Sequence, residues 1–204
     1  MTGVAPRIIL ASASPRRLDV LRQLGVEPDV VPTDIDESYL PGETPLEHVR
    51  RLAAAKAEAV PRDVVAGAHT LVVGGDTVVV DGGAVLGKPQ DDDDAVAMLL
   101  ALSGTTHEVY SGLAVRGEGE AVSGVARTVV RMRRFDEATA RAYVATGEPL
   151  DKAGAYGIQG AGAALVAEIE GDYYSVVGFP VGLFLELLEA VGWRYAFGSF
   201  TRVR

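Results

Sequence analysis

The sequence contains no cysteine, which excludes disulfides and thiolate metal sites, and nothing points to an oxidising compartment. Histidine is nearly as scarce. His48, His69 and His107 have no metal-ligand spacing and read as surface or satisfied core residues. No apolar run approaches the ~20 residues of a membrane span, and the N-terminus shows no basic segment followed by an apolar one. The expectation is a cytoplasmic protein with no membrane partner. Base is in deficit: 19 Lys and Arg against 28 Asp and Glu give a formal net charge of −9. General binders of nucleic acid or anionic membranes need a basic face, so no nucleic-acid partner is expected either. A small anionic ligand needs only a local basic pocket, and a divalent cation would help to neutralise nearby acids.

What is present is an ordinary globular composition. With 204 residues, 48% hydrophobic and 23% charged, the chain can bury around 70% of its unfolded surface as one domain over 1–204, with room for two lobes. Short β-branched runs at 7–12, 29–33, 71–80, 108–115, 121–135 and 174–178 alternate with helical patterns at 15–24, 44–60, 91–104, about 136–147 and about 180–191. That alternation predicts an α/β fold, and the apolar/polar alternation of 125–134 predicts a strand with one wet face, hence a mixed sheet flanked by helices. The acidic run Asp91 to Asp94 reads as a solvated helix start, since consecutive helical residues point in different directions.

One helix contradicts its own electrostatics. In 12-SASPRRLDVLRQLG-25, Ser14 is placed to cap, Pro15 suits the first helical position, Leu18, Leu21 and Leu24 recur at helical spacing, and Gly25 supplies the stop. Arg16 and Arg17 nevertheless stand in the first turn, where a cation is unfavourable by roughly 0.3–1 kcal/mol. The helices at 44–60 and 91–104 obey the dipole, with a Thr44/Glu47 capping-box pattern and an acidic first turn. A resident anion would remove the anomaly, because free amides and guanidinium forks would converge on it.

Other residues suited to chemistry cluster in three segments. In 74-GGDTVVV-80, Asp76 and Thr77 follow a glycine pair inside an apolar run; glycine lets another group approach the backbone, and an Asp there must be paired, solvated or coordinated. Asp34, Asp36 and Glu37 follow a strand, and carboxylates from two strand ends can hold Mg²⁺ or Mn²⁺ or supply a base. Lys88 lies between Gly87 and Pro89, and Lys56 on the helix begun at Thr44; taken singly, each reads as a surface lysine. No phosphate-loop or dinucleotide fingerprint occurs after a strand, and Ser111 has no partner pattern for a nucleophile triad.

The blocks 10-LASASPRR-17, 33-TDIDES-38, 51-RLAAAKA-57, 75-GDTVV-79, 86-LGKP-89, 105-TTHEVYSG-112, 151-DKAGAYGIQG-160 and 171-GDYYSVVGFP-180 resemble, in order, those of the Maf family of nucleotide pyrophosphatases. The resemblance runs from about residue 7 to residue 192. It implies a fold related to the inosine-triphosphate pyrophosphatases, a mixed sheet flanked by helices with two lobes around a deep cleft. It also implies cleavage of a nucleoside triphosphate between the α- and β-phosphates, with a divalent cation, Mg²⁺ or Mn²⁺, and a homodimer.

Carried over residue by residue, the resemblance makes Asp76 the catalytic acid and Glu37 with Asp76 the metal carboxylates. Whether Asp76 acts as base or as metal ligand stays open at this point. Ser12, Ser14, Arg17, Lys56 and Lys88 would bind the triphosphate. Arg16, Thr77 and Gln159 match positions associated with dTTP and UTP choice, and the Gln159 amide can meet N3–H and O4 of uracil or thymine together. Competing readings are a nucleotide-sensing regulator of septum formation, which could lose the carboxylates, a branch preferring 7-methyl-GTP, and a sugar-nucleotide transferase, which would want a glycine-rich loop after the first strand. The aromatic tail 193-WRYAFGSF-200 suits either a dimer contact or packing on its own core.

Overall fold

A computed structural model describes residues 5–65, 67, 69–119 and 121–203. The elements in chain order are β1 (Arg7–Leu10), α1 (Pro15–Gln23), β2 (Asp29–Val30), α2 (Pro45–Ala59), α3 (Arg62–Val65), β3 (Thr70–Asp81), β4 (Ala84–Leu86), α4 (Asp92–Leu102), β5 (Thr106–Arg116), β6 (Val122–Met132), α5 (Glu137–Val144), β7 (Val166–Glu170), α6 (Tyr173–Val177), α7 (Val181–Ala190), β8 (Trp193–Tyr195) and β9 (Phe200–Arg202). The main sheet has the order β2-β1-β3-β5-β6-β7, with β4 on β3. It is mixed: β1 runs parallel to β2 and β3, while β4 is antiparallel to β3 and β7 to β6. No helix among the described residues is long and apolar enough to cross a membrane.

The chain forms two compact units, the first from residues within 1–77, 111–126 and 178–204, the second from 78–110 and 127–177. In the first unit, α2 presents Val49, Leu52, Ala53, Lys56 and Ala57 as one buried stripe, all at helical spacing. Its start is the capping box read from sequence: the Glu47 amide donates to Thr44 Oγ1 and the Thr44 amide to Glu47 Oε2. The helix sits unusually close to the sheet. A Cβ on Gly74 of β3 would lie 2.2 Å from the Ala53 carbonyl oxygen, and one on Gly112 of β5 would lie 2.3 Å from that of Val49. Both glycines therefore seat the α2 backbone against their strands. Ile9, Ala11, Ala53, Ala57, Val72 and Ala114 fill the resulting core with small and β-branched side chains.

In the second unit α4 packs on α5, burying Leu99, Leu102, Ala140 and Val144. Asp91 and Asp136 cap these helices through the Asp94 and Thr139 amides, which confirms the acidic run as a helix start. Buried residues alternate with half-exposed Val129 and exposed Arg131 along 128–132 of β6, the strand with one wet face.

The segment expected as a strand at 174–178 is instead the short helix α6. Asp172 decides this, because its side chain accepts the Tyr174 amide and its carbonyl accepts that of Ser175, closing a turn that overrides the β-branched valines. The edge beside β6 is taken by β7 at 166–170, a segment without a strand assignment in the sequence and mostly exposed here. The tail forms the β8–β9 hairpin, with Trp193 and Phe200 buried in their own unit and Phe197 exposed at the turn.

Candidate active site

The first strand and the first helix set one wall of the site. Beyond β1, Ser12 is buried and Ser14 adopts the extended backbone of a cap, φ −68° and ψ 115°. Its hydroxyl nevertheless caps no helix amide among the described residues. The Ser14 amide instead donates to Ser12 Oγ at 3.2 Å. The expected side-chain cap is thus absent, and α1 lacks both a capping oxygen and a first-turn acid to offset its positive end.

Arg17 explains half of the charge anomaly. Its Nε donates to the carbonyl oxygen of Gly178 at 2.9 Å, Nη1 to Ser12 Oγ at 2.9 Å and Nη2 to Thr77 Oγ1 at 3.2 Å. The guanidinium therefore ties together the loop after β1, strand β3 and the turn before α7. Burial lowers its pKa from the ordinary value; Asp76 opposes the shift, Arg16 adds to it and Glu37 opposes it. Thr77 Oγ1 also meets Ser111 Oγ of β5 at 2.8 Å. Ser111, which had no triad pattern in the sequence, is fully buried and is the fourth polar side chain in the series Ser12, Arg17, Thr77, Ser111.

Opposite this chain, three charged groups converge. Lys56 Nζ lies 2.8 Å from Asp76 Oδ1 and 2.7 Å from Glu37 Oε1. Lys56 is buried, contrary to the surface reading of the lysine by itself. The signal was its place within the apolar stripe of α2. Asp76 is buried as well, whereas the Glu37 side chain is 59% exposed, so the triad has one open side. The Glu37 loop is anchored behind it. Thr33 Oγ1 donates to the Lys56 carbonyl, and Glu43 clasps Arg51 at 2.6 Å and His48 at 3.0 Å, with Tyr39 stacked on the His48 ring. Hydrogen bonds from Arg51 hold the Glu43 carboxyl well below its usual range.

The donor set suits a hard divalent cation. Mg²⁺ is commonly bound by one or two carboxylates, with waters and substrate phosphates completing the shell. Asp76 and Glu37 already converge on a single positive nitrogen. Among the described residues no group of three or more His, Cys, Asp or Glu is placed to hold a metal ion, so the protein offers a carboxylate pair rather than a closed cage.

The remaining sequence candidates fall elsewhere. Arg16 is half-buried in the first turn of α1. Lys88 and Gln159 belong to the second unit and are both exposed. The Lys88 turn is held where Gly87 accepts the Gly154 amide at 3.0 Å. The loop bearing Gln159 is clamped by two residues that drew no notice in the sequence: Tyr143 Oη accepts the Gly157 amide, and Glu148 accepts those of Ala161 and Gly162.

Residues 7–191 match the family model described as Maf-like protein. The chain belongs to this family. Among curated Maf-like relatives, a dTTP/UTP pyrophosphatase of Anaeromyxobacter dehalogenans is 50% identical over 93% of this chain and 96% of its own length. A dTTP/UTP pyrophosphatase of Moorella thermoacetica is likewise 50% identical, over 91% and 95%, and one of Geotalea uraniireducens 47% identical, over 94% and 98%. Among solved structures, the Ham1 protein of Staphylococcus aureus gives a TM-score of 0.43 at 16% identity, covering 62% of this chain and 71% of that one.

Proposed function

We propose that this chain is a nucleoside triphosphate pyrophosphatase that hydrolyses the α–β phosphate bond of dTTP and UTP, releasing the monophosphate and pyrophosphate. The observation that carries the reading is the Asp76–Lys56–Glu37 triad, whose two carboxylates act electrostatically on Arg17 in the uncapped first turn of α1. Its support from relatives is the name dTTP/UTP pyrophosphatase on curated proteins about half identical over nearly the full chain.

In this reading Asp76 and Glu37 would hold the divalent cation, which would supply positive charge to the phosphate oxygens. Asp76 orients the water and accepts its proton as oxygen attacks the α-phosphorus; the bond to the bridging oxygen breaks, and pyrophosphate leaves with that electron pair. The free amides of α1 with Arg16, and the Lys56 ammonium, counter the phosphate charge. Arg17 shapes this wall by fixing Ser12 and Thr77. The roles of Lys88 on the triphosphate and Gln159 on the base rest on the resemblance alone, as does the single-domain organisation over 1–204. A homodimer belongs to the same proposal, supported by the exposed Phe197 of the tail.

The deciding experiment is pyrophosphate release from a panel of ordinary and modified triphosphates with Mg²⁺ and Mn²⁺. dTTP and UTP should be best, with CTP and purine triphosphates clearly poorer. Equal rates on all bases would remove the specificity and leave the chemistry standing. A preference for 7-methyl-GTP would place the chain in another branch, and no turnover would return the reading to a nucleotide sensor. Light scattering that finds only monomer at micromolar concentration would remove the dimer.

A further inference from the structure

The Lys56 ammonium sits where a cation shared by Asp76 and Glu37 belongs. It is 2.8 Å from one carboxylate oxygen and 2.7 Å from the other, on a side chain only 11% exposed. We propose that Lys56 is a resident placeholder for the divalent cation. In the free chain it holds the two carboxylates together, and it must leave them before the metal can bind. The inference rests on the proposed metal role of this pair but concerns the order of events that the lysine imposes.

Three observations carry it. Each carboxylate gives the ammonium an oxygen, and a small divalent ion needs carboxylate oxygens at about 2.0–2.1 Å; two cations cannot share the same pair at that range without strong repulsion. The root of the side chain cannot retreat, because α2 is seated on β3 at Gly74, where even a Cβ would collide with Ala53 and Ala57. Release therefore falls to the four-carbon stem of Lys56, which is flexible. Finally, the open side of the triad is the Glu37 side, so the metal enters where the carboxylate is exposed and the ammonium is displaced from it.

A displaced ammonium with buried surroundings needs a new anion, or its desolvation is uncompensated. The phosphate groups of the substrate are the anions this site is proposed to receive. Metal and triphosphate should thus assist one another's binding, each by the same factor. Lysine keeps the carboxylates paired in the empty site and moves to phosphate in the loaded one. The chain without nucleotide should then bind metal poorly.

The test uses metal alone on the full-length, nucleotide-free chain. Free Mn²⁺ is followed by its electron paramagnetic resonance signal for the parent, Lys56→Met and Lys56→Gln. Removing the ammonium should tighten Mn²⁺ binding at least tenfold in either variant. In the parent chain, which requires no mutation and covers the case in which neither variant folds, Lys56 acetylation by acetic anhydride is read by mass spectrometry. Saturating Mg²⁺ should accelerate it at least threefold while exposed Lys88 is unaffected. Unchanged or weaker Mn²⁺ binding in a folded variant, or Lys56 equally protected with and without Mg²⁺, overturns the proposal. If pyrophosphate is released yet neither effect is seen, the placeholder role falls and the function stands. If both effects are seen without turnover, the function falls and the exchange stands.

Discussion

The guanidinium of Arg17 donates from Nε to the carbonyl oxygen of Gly178, 2.9 Å away and 161 residues later in the chain. Gly178 takes φ +104°, a conformation that side-chain-bearing residues rarely adopt, and a Cβ there would press on Thr77 Oγ1 at 3.2 Å. A cation that looked misplaced in a helix start is therefore held by partners distant in sequence. With Ser12 and Thr77 as its other acceptors, Arg17 is a structural crosslink within the first unit as well as part of the site's wall.

That arrangement reverses a dipole-based expectation. From the sequence alone, Arg17→Glu should leave the ligand-free protein as stable or slightly more so. With three acceptors left behind, Arg17→Ala or Arg17→Glu should cost about 2–4 kcal/mol, a fall in Tm of roughly 5–12 °C for a chain of this size. Calorimetry on the ligand-free variants measures it directly. An unchanged melting temperature would mean that these hydrogen bonds contribute nothing to the free protein.

Asp76→Asn retains an acceptor for the Lys56 ammonium but loses the carboxylate charge. Turnover of dTTP with metal should fall by on the order of 10²–10⁴, while far-ultraviolet circular dichroism still reports a folded chain. Pyrophosphate release at the parental rate would exclude Asp76 from the chemistry.

Gly74→Ala should be among the most damaging single-methyl additions in the chain. The added carbon would lie 2.2 Å from the Ala53 carbonyl oxygen and 2.8 Å from the Ala57 amide nitrogen, both backbone atoms of α2 that cannot turn aside. At least about 3 kcal/mol of stability should be lost. Lys56 would shift with the helix, so activity should fall too. Gly87→Ala is the control, since a Cβ there meets nothing within 4 Å. Chemical denaturation of the pair reads the difference.

His107 gives a pH prediction. Its Nε2 lies 2.8 Å from Tyr156 Oη, its Nδ1 has no partner among the described residues, and burial lowers its pKa to about 4, with Asp81 opposing. The unfolded chain takes up this proton near the ordinary histidine value of 6.5 and the folded chain only near 4. The contribution is therefore complete above about pH 6.5 and is lost as pH falls toward 4, by on the order of 2–3 kcal/mol. Replacing His107 with Phe should flatten the stability profile across that window; an unaltered slope would assign it to the carboxylates.

Gln159→Ala should erode the preference for dTTP and UTP over CTP by roughly tenfold, with a smaller loss in the rate on the best substrate. Competition assays with paired triphosphates measure this ratio. A uniform loss on every base would instead make Gln159 a general binding residue.

Local physics made much of this protein legible without coordinates. Caps at Thr44, Asp91 and Asp136 and the stop at Gly25 depend on residues within one turn, so the sequence determined where those helices lie. The glycine pair before Asp76 signalled a close approach, and Gly74 delivers one, to α2. The order of motifs was enough to place the chain in its family. Tertiary structure alone decided what Arg17 binds, because Gly178 and Thr77 reach it only through the fold. It also anchored the turn that opens the helix at 173–177, where Thr128 Oγ1, 44 residues away, accepts the Asp172 amide and donates to its carbonyl. Above all it made Lys56 a buried ion pair: helical periodicity marks which face a residue occupies, but only the seating of α2 on Gly74 and Gly112 brings that ammonium to Asp76 and Glu37.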